Sequence, residues 1–169
     1  SFSILARYAF IGMAFLKGFV KTRAITERQY DEYLQSLPTV ARRIAEDLHA
    51  DLPVDVLLAR YGHLRPNSYE ITSGNYASDP GWYLRANGGS PAPSNEGEGA
   101  KVLLASRDGI AASLAAIGLD VEVDVLLKFI GRSIVGREQA KFEFMKNLDG
   151  VLETSAALGG ELEIGRAHV

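Results

Sequence analysis

From Val123 to Leu158 the apolar residues keep to one spacing. Val123, Leu126, Leu127, Ile130 and Ile134 fall three or four apart, and the pattern resumes through Met145, Leu148 and Leu152. That is the repeat of an α-helix, not of a strand. A helix with one apolar stripe has to bury it against other elements. Asp120 is placed to cap this helix and Gly159-Gly160 to stop it, while Gly131 and Gly136 are candidate kinks. No stretch of the chain alternates as a strand would, apart from a short extended piece in the 62–83 loop. The expected class is all-α, a multi-helix bundle with a long irregular loop.

The preceding chain reads as further helices. Leu5, Tyr8, Ala9, Gly12, Phe15, Leu16 and Phe19 share a face that Ile4 and Ile11 widen, so this first helix is expected to be heavily buried. Arg7 and Lys17 interrupt its apolar run, which stays short of the ~18–20 uncharged residues of a spanning helix. Thr26 and Gln29 form a capping box for a second helix faced by Tyr30, Tyr33, Leu34 and Leu37. Ser36 is placed to cap a third, with Pro38 in its first turn and a stripe of Val40, Ala41, Ile44, Ala45 and Leu48. Asp51 and Pro53 open a fourth, ending at Gly62. Lys101 to Ile117 reads as one helix weakened by Gly109 and stopped by Gly118. The divisions are 1–85 for the N-terminal helices and loop, 86–100 for a Gly/Ser/Pro-rich linker, and 101–169 for the C-terminal helices, together one domain.

Charge and cysteine content exclude more than they identify. A net charge of −3 supplies no field for nucleic acid or an anionic membrane, so neither is expected as a partner. Zero cysteines rule out disulfides and thiolate metal sites, which fits a cytoplasmic protein. Glu46-x-x-His49 has the spacing of half a di-iron site but occurs once, and no metal is expected. Gly97-Glu98-Gly99 has no strand before it and reads as linker, not as a nucleotide loop.

The chemistry concentrates between Arg60 and Tyr76. An imidazole, a guanidinium, a carboxylate and three phenols lie there on irregular backbone, with Pro66 holding Arg65 away from helix. His63 is placed either to bond the last carbonyls of the preceding helix or to meet a substrate or another domain. Arg65 can clamp a carboxylate or phosphate, with Glu70 its nearest structural partner. Tyr61, Tyr69 and Tyr76 are expected to pack. On the last helix Glu138 and Lys141 fall on the apolar stripe, with Arg137 beside Lys141. Charges there must pair, Glu138 with Lys141 or with Arg65, or else line a hollow that can meet an anion.

The run Tyr61-Gly62-His63-Leu64-Arg65-Pro66, with Tyr69-Glu70-Ile71, Tyr76 and Asp79-Pro80, resembles a segment of phosphoenolpyruvate-utilising enzymes. These are the phosphoenolpyruvate synthase (pyruvate,water dikinase) and rifampicin phosphotransferase relatives. Ile134 to Phe142 with Lys146-Asn147-Leu148, and more weakly Ser36 to Asp47, extend the likeness over most of the chain. The resemblance implies an interior helical domain, a fragment of a larger multidomain chain, between an ATP-grasp domain and a swivelling phosphohistidine domain. ATP and Mg2+ would belong to the whole enzyme, and a small molecule would accept the phosphoryl group. His168, preceded by Ala167, does not fit the family's phosphorylated histidine. The expected substrate-binding or docking groups are His63, Arg65, Glu70, Arg137, Glu138 and Lys141. No catalytic residue is expected here, and the rival expectation is a helical scaffold or interaction module.

Overall fold

The computed structural model describes residues 2–66, 69–81 and 98–163. Within them run seven α-helices and no strand: α1 (Phe2–Lys21), α2 (Glu27–Ser36), α3 (Val40–His49), α4 (Val54–Tyr61), α5 (Glu98–Leu104), α6 (Arg107–Ala116) and α7 (Val123–Glu161). The all-α class follows directly from the apolar spacing. Residues 86–97 of the expected linker lie outside the described residues, and 98–100 belong to α5.

The chain divides into two compact units, one of residues 1–43 with 92–140 and one of 44–91 with 141–169. The first unit holds the apolar core. Leu16, Leu103, Ile110, Leu114 and Ile130 are its fully buried side chains. Gly12 lets α1 pack against α7: a Cβ there would lie 3.3 Å from Ile130 Cα. Gly109 lets α6 sit against the Ala24 backbone, where a Cβ would stand 3.2 Å from the carbonyl oxygen. The Tyr33 hydroxyl donates to the Leu127 carbonyl at 3.1 Å, and burial pushes its pKa up to about 12. The phenol is therefore a permanent donor, as a buried hydroxyl should be.

Helix boundaries confirm some expectations and correct others. The capping box of Thr26 and Gln29 is present on both sides. Ser36, however, ends α2 and donates to Tyr33 O, and Thr39 instead supplies the oxygen bonded by the Arg42 amide. Leu37 precedes Pro38 and is extended, at φ −71 and ψ 137, so no helix can run through it. Lys101–Ile117 is two helices, α5 and α6, broken after Leu104. Gly118 does end α6, in the left-handed region at φ 71. Asp120 stands outside α7, which starts at Val123, and Gly159 and Gly160 lie inside it.

A further correction concerns the burial of α1. Ala9, Gly12, Leu16 and Phe19 are buried, but Ile4, Tyr8, Phe10 and Ile11 are exposed. Met13, Phe15 and Val20 are partly buried against the core, so the buried face lies toward the C-terminal half of α1 and leaves the widening residues outside. By length and composition alone α1 could cross a membrane, a property shared with core helices and signal sequences.

The second unit contains α4, the loop after it, and the last part of α7. Asp47 ties the start of that segment together, accepting from Arg60 and from the Tyr61 hydroxyl, both at 2.7 Å.

Candidate functional site

The loop after α4 is closed by its own backbone. Tyr76 N–H donates to Leu64 O at 2.8 Å, and Ala77 N–H to Gly62 O at 3.1 Å. Asn75 turns the returning arm, its side-chain oxygen accepting from Ser78 N–H at 3.0 Å. A side-chain oxygen that bonds the amide three residues on caps the turn, which suits Asn at that point.

Arg65 is the centre of the loop. It is 7% exposed and lies outside any helix, as a residue before proline should. Its Nε donates to Asp149 Oδ1 at 2.7 Å, one terminal nitrogen to Glu153 Oε1 at 2.6 Å, and the other to Ser73 O. Asn75 donates to the second oxygen of Asp149 at 3.0 Å. One buried carboxylate on α7 therefore receives both arms of the loop. The planar guanidinium suits this because its donors form a fixed fork, which a lysine lacks.

Glu70 is not Arg65's partner. It accepts from Thr72 at 2.5 Å and from Ser73 at 3.2 Å. Tyr61 is buried, its ring 6.1 Å from that of Phe142, whereas Tyr69 is exposed.

His63 packs edge-on against Phe142, ring centroids 4.7 Å apart, and its Nε2 is buried without a hydrogen-bond partner. Desolvation first, then the nearby Lys146 ammonium, lowers its pKa; a backbone hydrogen bond at Phe142 and the charges of Asp149 and Glu143 oppose this. The folded state thus favours the neutral ring. Stability from this site is full above the ordinary imidazole value of 6.5 and is lost as pH falls through the lower folded value. Thermal melting should therefore drop with acidification below 6.5 more steeply in the parent chain than in His63→Gln. Equal slopes would show that the ring is not held neutral.

Lys141 is exposed and has no partner among the described residues. In the first unit, Arg137 lies over the Phe10 ring, 5.6 Å from its centroid. Glu138 accepts from Val40 N–H at 3.3 Å, placing a negative charge at the start of α3. The expected pairing of Glu138 with Lys141 or Arg65 is replaced by this cap.

Asp149 and Glu153 were the residues that sequence reasoning missed. Four positions beyond Met145, on the same face, the chain has Asp149 instead of an apolar residue. That misplaced acid was the available signal for Arg65's partner.

No group of three or more His, Asp or Glu side chains able to hold a metal occurs among the described residues. His168 lies outside them. No family model, no curated protein and no solved structure matches this chain.

Proposed function

We propose that the chain is a non-catalytic helical docking module, and that its parent is a phosphoenolpyruvate synthase-like, ATP-dependent phosphotransferase. The parentage rests on the motif likeness around His63 and Arg65. The non-catalytic part rests on one observation: each of the three guanidinium nitrogens of Arg65 donates inside the chain, to Asp149, Glu153 and Ser73, and the side chain is 2% exposed. A guanidinium so held and so buried is not presented to a phosphoryl group arriving from solvent. The loop then serves as a fixed surface, and positioning is much of what phosphoryl transfer asks of protein groups. ATP, Mg2+ and the phosphohistidine would reside on other domains of the parent. Lys141 is the cationic group best placed to meet a docking domain or an anionic acceptor, because it is exposed and unpaired.

Two measurements test this. The chain alone, given Mg-ATP and phosphoenolpyruvate, should acquire no phosphohistidine; labelling of the isolated chain would refute the non-catalytic reading. In the full-length parent, Lys141→Gln should slow phosphoryl transfer while leaving the melting temperature unchanged. An unchanged rate would leave the helical scaffold as the better reading, a role favoured by the same burial of Arg65.

A further inference from the structure

The first unit has a hollow of about 350 Å³ between the end of α2, the start of α5 and the first turns of α7. Its volume falls within the ~300–1,000 Å³ typical of small-molecule pockets. Two glycines bring the walls beside this hollow close together, and one helix stops early. At Gly131 a Cβ would come within 2.9 Å of the Tyr33 hydroxyl, so α7 presents bare backbone there. At Gly99 a Cβ would collide with Ser36, so α5 also approaches without a side chain. Leu37 and Pro38 leave α2 in an extended path and open the space beside it.

The floor is apolar, formed by Tyr33, Leu37, Leu104 and Leu127. The Tyr33 hydroxyl is committed to Leu127 O, so its ring, not its oxygen, serves as wall. The mouth is cationic. Lys128 and Arg132 stand one turn apart on α7, both exposed and neither paired with an acid among the described residues. Asp124, on the same lining, is engaged by Arg107 at 2.6 Å. The Ser36 carbonyl at the α2 terminus is bonded by Arg42 at 3.0 Å. Asp124, the acid on this lining, is thus paired, and the two cations are not.

We propose that this hollow binds a small amphipathic anion: an aromatic or short aliphatic body bearing a carboxylate, sulfonate or phosphate monoester. The body covers the apolar floor, and the anion meets Lys128 and Arg132, the latter able to take it with two parallel hydrogen bonds. The site rests on the first unit alone and does not depend on the loop's role or on the parent being a phosphotransferase.

A matched pair of fluorescent probes tests it, anilinonaphthalene sulfonate and the uncharged N-phenylnaphthylamine. The sulfonate should bind the native chain saturably, one per chain. The double variant Lys128→Gln/Arg132→Gln should weaken the sulfonate by about tenfold or more, as expected for losing charge-assisted contacts, and leave the neutral probe unchanged. Leu104→Trp, made at a position 37% exposed, should fill the space and weaken both probes. The proposal is overturned if the sulfonate does not saturate, or if the double variant binds both probes as the native chain does. The double variant, altered only at surface charges, decides the matter even if Leu104→Trp fails to fold.

Discussion

Replacing Arg65 by alanine should destabilise the chain by about 3–5 kcal/mol, the usual result of removing one member of a buried ion pair. The side chain is 2% exposed and its partner Asp149 11%. Truncation leaves Asp149 buried with only Asn75 bonded to it, and frees the Ser73 carbonyl. The Glu153 contact adds little to the loss, since that carboxylate is 58% exposed and screened by water. Arg65→Lys should recover only part of the stability, because a single ammonium cannot reach Asp149, Glu153 and Ser73 in the geometry of the fork. Urea unfolding of the two variants measures both effects. A fully stable alanine variant would mean that the loop is held by its backbone bonds instead.

Ile130→Ala should have a comparable effect on the first unit, about 2–5 kcal/mol and in the upper part of that range. Ile130 is fully buried, and the residue facing it on α1 is Gly12, which has no side chain to move into the space. A cavity there can close only if α1 and α7 shift as wholes. Chemical denaturation again supplies the value. A loss below about 1 kcal/mol would show that the two helices settle together easily.

Helices were legible in this sequence wherever local chemistry decides them. The apolar spacing from Val123 announced α7, the Thr26–Gln29 pair announced α2, and Gly118 marked the end of α6. Errors arose where a neighbour decides. Ser36 looked like a cap for the next helix, but the extended Leu37 before Pro38 made it the end of the previous one. The exposure of Ile4, Tyr8 and Ile11 follows from how much of α1 the core covers, which periodicity cannot tell.

The candidate site divides in the same way. Pro66 and Asn75 betrayed the loop and its turn, because backbone restriction is a property of the residues themselves. Arg65's partners could not be read from nearby sequence: Glu70 is close along the chain but bonds Thr72 and Ser73, while Asp149 lies 84 positions away. Glu138 likewise left the expected ion pair to cap α3, drawn by the unsatisfied amides that open every helix.

The docking-module reading requires that Arg65 and Asp149 act as one unit. A double-mutant cycle with Arg65→Ala, Asp149→Ala and the pair, followed by urea unfolding, measures that directly. Strong coupling is the expected result, with the double variant losing far less stability than the two single losses summed, by more than about 1 kcal/mol. Simple additivity would show that the guanidinium and the carboxylate do not hold one another, and Arg65 would then be free to serve a ligand.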